Sequence, residues 1–348
     1  MKIRWLFVAM FAALCGTGPV PSPLLARGEV TPLFDATSTL DVTLAGPIRK
    51  IARSGEKSVQ EHAATLTAAG ESHAITLAAR GKTRRLKEKC SFPPLRIAFT
   101  EKPDKGSLFH KQGRIKLVTH CRNHDAAEQT MLREYAAYRL YNRITPESFR
   151  VRLARISYVD DGKLVATRLG FFIEDGDDAA RRLGKKEIDT GDIPVAQLDQ
   201  TDAARYALFQ YMIGNTDWSM VLGPEGADCC HNSRLFGADK AVRTGLTPVP
   251  YDFDNAGLVD AIYAAPHPRL KTQSVKTRVY RGFCTFNGLV AQEADRMRAL
   301  RPELEAEIAA TPHALEDTKE KMRSYLAGFF EDIATPEMLD KKLTSRCR

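Results

Sequence analysis

Alternation of apolar and polar residues dominates the first half of the chain and predicts β-strands. It is clear at residues 40–44 and 72–77, and glycines stand at the intervening turns. We therefore expect residues 27–88 to form a small β-rich N-terminal module. This segment holds no cluster of catalytic residue types, so its expected role is packing or partner binding.

The pattern continues beyond Cys90 with further strands and one long helix. Strands are predicted at residues 95–99 and 114–119, and a helix is predicted from about Asp125 to Asn142, where Thr145-Pro146 ends it. Two more alternating runs, 150–159 and 164–173, are joined by Asp160-Asp161-Gly162 and predict a hairpin.

Apolar residues at helical spacing dominate the remainder. One predicted helix includes Tyr206 to Ile213 and stops at Gly214-Asn215, residue types that favour the left-handed conformation at a helix end. Further helices are expected at 178–183, 287–299, 302–310 and 315–330, with Pro302 in a first-turn position. The overall prediction is an α+β protein.

The N-terminal residues are typical of a secretory signal peptide. Lys2 and Arg4 precede an apolar run from Trp5 to Cys15, and small and Pro-rich residues continue to Ala26. That run is shorter than the roughly 20 residues that a spanning helix needs, and no later segment approaches that length. We expect residues 1–26 to be removed, and the mature chain to be periplasmic or secreted without a transmembrane segment.

The net charge limits the expected kinds of ligand, and the cysteine content indicates the compartment. The formal charge of +8 becomes +6 without Lys2 and Arg4, and the basic residues are dispersed along the chain. This charge is compatible with anionic ligands such as nucleotide phosphates and supports a nucleic-acid groove only weakly, so no nucleic-acid partner is expected. Six cysteines remain after residue 26, an even number that predicts disulfides in an oxidising compartment. Their connectivity is open, although a bond from Cys229 or Cys230 to Cys284 would tether the loop between them.

Carboxylates and amides concentrate at turns in residues 209–257. Asp217 follows the Gly214-Asn215 helix end, and Asp252 and Asp254 follow the extended segment Thr247 to Tyr251. Spacing of two residues directs Asp252 and Asp254 to one side of a strand, where they repel each other unless a cation lies between them. Mg²⁺ or Mn²⁺ is the expected cation, with Asn232 supplying a further oxygen. The alternative is that all three aspartates are ordinary turn residues.

The order Asn215-x-Asp217, then His231-Asn232, then a strand ending in Asp252-x-Asp254 resembles the catalytic half of spore-coat CotH-type atypical kinases, and more distantly HipA-type kinases. The resemblance implies that Asp217 orients the acceptor hydroxyl and that Asn232 and Asp252 bind the metal at the ATP phosphates, while Phe253 and Asp254 stand where many kinases have Phe-Gly. Asp254 is expected as a further metal ligand from its spacing to Asp252. Trp218-Ser219 stands where such kinases often have Arg-His, and the loop from Asp217 to Asn232 is longer than in ordinary protein kinases.

The resemblance extends upstream. Lys116 stands among apolar residues of a predicted strand and Glu134 lies in the following helix, an order similar to the kinase pair in which Lys holds the phosphates and Glu holds Lys. It also implies that backbone groups of Glu174 and Asp175 contact the adenine base. The alternative is that these residues have no catalytic role: Lys116 would face solvent, Glu134 would lie on the helix surface, and Glu174 and Asp175 would be an ordinary hairpin end. A Walker-type or glycine-rich kinase phosphate loop is absent from the sequence.

Together these features predict an atypical protein-kinase-like, two-lobed α+β domain behind the β-rich module. Its N-lobe is expected at residues 89–177 and its helical C-lobe at 178–348. The implied reaction transfers the ATP γ-phosphoryl group to a hydroxyl on an unidentified protein or small molecule. Two alternatives remain open, a metal-dependent phosphoesterase that uses Asp217, Asp252 and Asp254, and a non-catalytic binding protein.

Overall fold

The computed structural model describes residues 28–348, so the predicted signal peptide lies outside the described residues. Within them the protein is α+β, as expected. A closed barrel of seven strands forms the N-terminal part, in the order β1-β2-β3-β4-β5-β7-β6. The barrel strands are β1 Leu40–Ala45, β2 His62–Ala68, β3 Glu71–Ala79, β4 Leu95–Phe99, β5 Arg114–Val118, β6 Val151–Asp160 and β7 Lys163–Ile173.

Barrel closure depends on the first strand. β1 pairs with β6 in parallel, while the other neighbouring strands pair antiparallel. The boundary predicted between residues 88 and 89 falls between β3 and β4, which pair from Ile75↔Phe99 to Ala79↔Leu95. Residues 27–88 therefore do not form a sheet of their own, because their inward-facing apolar side chains share one core with those of β4–β7.

Eight α-helices are found in the described residues. They are α1 Pro32–Asp35, α2 Ile48–Ser54, α3 Asp125–Ile144, α4 Gly176–Arg182, α5 Gln200–Ile213, α6 Asn287–Ala309, α7 Glu316–Asp332 and α8 Pro336–Lys342. A three-stranded sheet accompanies them, with β8 Lys186–Glu187, β9 Ser233–Gly237 and β10 Thr247–Pro250 in the order β10-β9-β8. None of the described helices is both long enough and apolar enough to cross a membrane.

One predicted break in a helix is wrong. The sequence predicts separate helices at 287–299 and 302–310, yet α6 runs through both with Pro302 inside it. Its buried residues, among them Met297 and Leu304, continue at helical spacing on both sides of the proline. Packing of this continuous apolar face outweighs the hydrogen bond that Pro302 cannot donate.

The six cysteines beyond the signal region form three disulfides, Cys90–Cys121, Cys229–Cys230 and Cys284–Cys347. The prediction that Cys229 or Cys230 takes part in a disulfide is confirmed. Their partner is not Cys284, however, because Cys284 lies beside Cys347 and fastens residue 347 to the start of α6. The Cys229–Cys230 bond lies in the loop immediately before His231 and Asn232.

Candidate functional site

The end of α5 places Asp217. Gly214 adopts the left-handed conformation at φ 66° and ψ 34°, which ends the helix as the sequence predicts. The Asn215 side chain then accepts a hydrogen bond from the Asp217 backbone N–H at 3.0 Å, and the Asn215 carbonyl accepts one from the Trp218 indole at 2.9 Å. The buried Trp218 ring anchors the loop, and the Asp217 carboxylate remains about one-third exposed.

Asp217, His231 and Asn232 form one hydrogen-bonded group. His231 Nε2 lies 2.7 Å from Asp217 Oδ1, and Asn232 Nδ2 donates to the Asp217 carbonyl oxygen at 2.7 Å and to Oδ2 at 3.2 Å. The Asn232 carbonyl also accepts from the Tyr251 backbone N–H at 3.1 Å, which connects this group to the end of β10. The structure therefore brings Asp217 and Asn232 together.

The environment keeps Asp217 ionised. Burial would raise the pKa of Asp217, but the His231 hydrogen bond and the positive charges of His231 and His267 outweigh burial and lower the pKa. Asp217 is thus a half-buried carboxylate that can accept a hydrogen bond from an approaching hydroxyl group.

Asp252 and Asp254 converge as predicted, but on a residue that the sequence reasoning missed. Arg84 Nη2 lies 3.0 Å from Asp252 Oδ1, and Arg84 Nε lies 3.0 Å from Asp254 Oδ2. Tyr263 donates its hydroxyl to Asp254 at 3.1 Å. Asp252 has a positive φ of 62°, and its backbone N–H donates to the Tyr138 hydroxyl at 2.8 Å. A turn at Asp252, and not two-residue strand spacing, brings the two carboxylates together.

Arg84 also takes the place predicted for Lys116 beside Glu134. Its guanidinium donates to both Glu134 oxygens, at 2.9 and 3.0 Å, and no Lys116–Glu134 ion pair exists among residues 28–348. Ile115 and Leu117 of β5 point into the barrel core, and Lys116 between them points out of the barrel, to the same side as Val118, which packs in the core that includes α3. The Lys116 ammonium is directed to the Tyr251 ring, while Arg84 reaches Glu134 from the loop after β3.

Three carboxylates therefore surround a single guanidinium. Burial raises the pKa of Glu134 to about 7 and that of Asp254 to about 6, although Arg84 opposes both shifts. The remaining carboxylates contribute in the same direction as burial, because each negative charge disfavours the next. The cluster holds more negative charge than Arg84 neutralises.

These residues offer carboxylate and amide oxygens, which are the ligands that a hard divalent cation prefers. Arg84 contacts one oxygen of Asp252 and one of Asp254, and the second oxygen of each has no hydrogen bond from the part of the chain that the structure describes. Asn232 offers an amide oxygen in addition. Without Asn232, only the carboxylates of Asp252 and Asp254 are offered to the cation. No group of three or more His, Cys, Asp or Glu side chains in residues 28–348 is arranged to hold a metal ion.

Lys116 lies in a second, positively charged region next to this cluster. Its Nζ lies 5.3 Å from the centroid of the Tyr251 ring, and the Arg234 guanidinium lies 5.5 Å from the same centroid. Burial, and next the positive charge of Arg80, lower the pKa of Lys116 to about 8. Neither Lys116 nor Arg80 forms an ion pair with any residue in 28–348, and Arg80 Nε is buried without a hydrogen-bond partner. Both cations lack an anionic partner.

Glu174 and Asp175 have local structural roles. The Glu174 carboxylate forms a two-pronged pair with Arg182, at 2.9 Å for each contact, and its backbone N–H donates to the Arg150 carbonyl at 2.9 Å. Asp175 caps α4 by accepting from the Asp177 backbone N–H at 3.2 Å. The Glu174 carbonyl and the Asp175 backbone N–H form no hydrogen bond within the described chain, so both are backbone groups that a base could contact.

Sequence reasoning missed Arg80, Arg84 and Arg234, and it gave His231 only a minor role. The available signal was the basic run Arg80-Gly81-Lys82-Thr83-Arg84-Arg85 directly after a predicted strand. A glycine and several cations at a strand end are typical of anion-binding loops, but the segment was assigned to the N-terminal module and not to the site.

No protein-family model and no curated protein matches this chain. Among solved structures, the chain is similar to the Helicobacter pylori proinflammatory kinase CtkA, with 10% sequence identity and a TM-score of 0.38. The overlap covers 83% of this chain and 95% of that chain. The function proposed below therefore rests on the geometry of this chain's own residues.

Proposed function

We propose that this protein is an exported atypical kinase that transfers the γ-phosphoryl group of ATP to a hydroxyl acceptor. The observation that carries the proposal is the juxtaposition of two opposite charge excesses. Lys116 and Arg80 form no ion pair with any of residues 28–348, and next to them Asp252, Asp254 and Glu134 exceed the charge of Arg84. Nucleotide phosphates together with a divalent cation would balance both excesses at once.

In this proposal the residues of the site have distinct roles. Lys116 and Arg80 bind phosphate oxygens, and Asp252, Asp254 and Asn232 hold Mg²⁺ or Mn²⁺, which neutralises charge on the phosphates when bound. The Glu174 carbonyl accepts a hydrogen bond from the adenine base.

On the acceptor side, Asp217 orients the hydroxyl for attack and accepts its proton, while His231 and Asn232 fix the carboxylate. Arg84 pairs with Glu134 and so keeps α3 in place, whereas the resemblance implied that Glu134 pairs with Lys116. Catalysis would come from positioning and charge stabilisation, because phosphoryl transfer needs little covalent chemistry from the protein.

The test is a thermal-shift titration with ATP, with Mg²⁺, and with both together. We expect the two together to raise the melting temperature more than the sum of either alone, because a ligand that binds only the folded state stabilises it by mass action. Lys116→Met should abolish most of the ATP-dependent shift, and the exposed Lys57→Met is the matched control. Equal shifts in wild type and Lys116→Met would refute nucleotide binding at this site.

A non-catalytic binding protein is the second candidate, and Arg84 favours it. Its contacts to Asp252 and Asp254 neutralise part of the acidic cluster without a metal ion. If this candidate is correct, ATP stabilises the protein with or without Mg²⁺ and no ADP forms with any acceptor. The phosphoesterase alternative has less support, because Asp217 pairs with His231 and Asn232 and makes no contact with Arg84.

A further inference from the structure

A cleft of 690 Å³ opens beside the Asp217 group, and the charged side chains that line it are basic. His231, which bonds to Asp217, forms part of its wall. The basic side chains that line it are His231, His267, Arg269, Arg281, Arg346 and Arg348, and no Asp or Glu side chain belongs to the described lining. None of these four arginines forms an ion pair with a residue in 28–348.

Two of these arginines share one aromatic ring. The Arg281 guanidinium lies 5.1 Å and that of Arg348 lies 5.5 Å from the Trp218 ring. Arg281 donates to the backbone carbonyls of Thr216 and Trp218, so its guanidinium is held directly beside Asp217. Like charges so close repel each other, and the repulsion from Arg348 adds to burial in lowering the pKa of Arg281 to about 10.

The fold holds Arg348 against this repulsion. The Cys284–Cys347 disulfide fixes the preceding residue, and the Arg348 backbone N–H donates to the Gly282 carbonyl at 2.9 Å. The Cys284 backbone N–H in turn donates to the Arg348 backbone oxygen at 3.1 Å. Two guanidinium groups that both lie against the Trp218 ring and repel each other form a site that an anion stabilises, because each can donate paired hydrogen bonds to phosphate or carboxylate oxygens.

We propose that this cleft binds an anionic group of the acceptor, so that the substrate is a hydroxyl compound that also carries a phosphate or a carboxylate. The inference rests on the proposed kinase function, since it assigns the cleft to the acceptor that Asp217 orients. Arg348 and Arg281 would hold the anion, and the hydroxyl would extend past His231 to Asp217. The anion would thus serve as a handle that positions the hydroxyl.

Trp218 provides a direct readout, because the sequence has only two tryptophans and the other is Trp5. In a Trp5→Phe background we would titrate the full chain with inorganic phosphate and, separately, with malonate, at constant ionic strength set by chloride. We expect a saturable change in Trp218 fluorescence with at least one of the two anions. The anion that binds more tightly indicates whether the acceptor carries a phosphate or a carboxylate.

Variants make the titration specific. Arg348→Gln removes a charge-assisted hydrogen bond and should weaken the binding of the anion about tenfold. Arg269→Gln tests the rim of the cleft, and Arg49→Gln, on the barrel surface, is the control that should bind the anion as wild type does. No saturable change with either anion, or equal affinity in wild type and in both cleft variants, would overturn the proposal.

The acceptor itself is tested by ADP formation with glycerol, glycerate and glycerol 3-phosphate. We expect one of the two anionic compounds to be preferred over glycerol, and the preference to fall in Arg348→Gln. The fluorescence titration contains no nucleotide, so it separates the two hypotheses. Anion binding without any ATP-dependent stabilisation refutes the kinase, whereas ATP-dependent stabilisation without anion binding, or with glycerol as the best acceptor, refutes the anionic acceptor alone.

Discussion

The guanidinium of Arg84 donates to both oxygens of Glu134, at 2.9 and 3.0 Å, across 50 residues of sequence. The pair joins the loop after β3 to α3, and the same guanidinium contacts Asp252 and Asp254 beyond β10. Three distant segments thus meet at one buried cation. This arrangement stabilises the interface between the barrel and the helices and places the two aspartates next to each other.

Arg84→Met should strongly destabilise the protein. It leaves Glu134 and Asp254 buried without their cation, and removal of one partner of a buried pair costs roughly 3–5 kcal/mol. Urea unfolding followed by circular dichroism measures the change in the free energy of unfolding. Arg49→Gln, which removes a surface ion pair with Asp160, should cost less than about 1 kcal/mol. A similar small loss for Arg84→Met would show that the cluster is not buried as described.

Mg²⁺ or Mn²⁺ should raise the melting temperature of wild type, and Asp252→Asn should abolish that rise. The physical reason is that the substitution removes a carboxylate expected to contact the cation and leaves too little negative charge to bind it. Asp217→Asn should retain the rise, because Asp217 is engaged by His231 and Asn232. Equal stabilisation of wild type and Asp252→Asn by the metal would place any cation elsewhere.

Asp217→Asn should remove turnover without removing nucleotide binding. Loss of a positioned base typically lowers kcat by about 10²–10⁴-fold, while the ATP-dependent thermal shift should be unchanged. His231→Gln keeps a hydrogen-bond donor beside Asp217 but loses the imidazole, so it should have a smaller effect on kcat. Parallel loss of ATP binding in Asp217→Asn would mean that this residue holds the nucleotide and not the acceptor.

Lys116 gives nucleotide binding a specific pH dependence. The pKa of Lys116 is lowered from 10.5 to about 8, so its charge is lost in the nucleotide-free protein as pH rises above 8. ATP affinity, measured by calorimetry, should fall between pH 8 and pH 9.5. Lys116→Arg should flatten the profile, because arginine remains charged over this range.

The contribution of Lys116 to the free energy of unfolding changes with pH in the opposite direction to ATP affinity. Between pH 8 and pH 10.5 the unfolded chain binds more protons at Lys116 than the folded chain does, so this residue makes the free energy of unfolding rise with pH. That contribution should vanish in Lys116→Met and persist in Lys57→Met. An unfolding free energy whose slope over this window is the same in both variants would contradict the lowered pKa.

The disulfide pairing predicts the outcome of peptide mapping. Non-reducing digestion should yield Cys90 linked to Cys121 and Cys284 linked to Cys347, with Cys229 and Cys230 bonded to each other in one peptide. Free thiols throughout the unreduced protein would contradict an oxidising compartment.

Cys347→Ser should weaken phosphate binding in the Trp218 titration, since Arg348 loses the bond that holds it near the ring.

Local structure followed from the sequence. Alternation located β4 at its observed bounds, a Gly-Asn pair located the end of α5, and the helix that carries Glu134 began at Asp125 as predicted. These features depend on neighbours a few residues away, through side-chain periodicity and backbone conformation, and the printed sequence contains that information. The sequence also indicated that Asp252 and Asp254 lie close together, although the positive φ of Asp252 and not the predicted strand spacing accounts for it.

The tertiary structure decided which cation meets Glu134. Lys116 lies in the middle of β5 and Arg84 follows β3, and no local feature of the sequence shows which of them reaches Glu134. Barrel closure decides it, because β1–β3 join β4–β7 in one sheet and thereby carry the loop with Arg84 to α3, while the Lys116 ammonium lies over the Tyr251 ring. Such a choice depends on long-range strand pairing, whose register is fixed by the packing of the whole barrel core and not by any short stretch of residues.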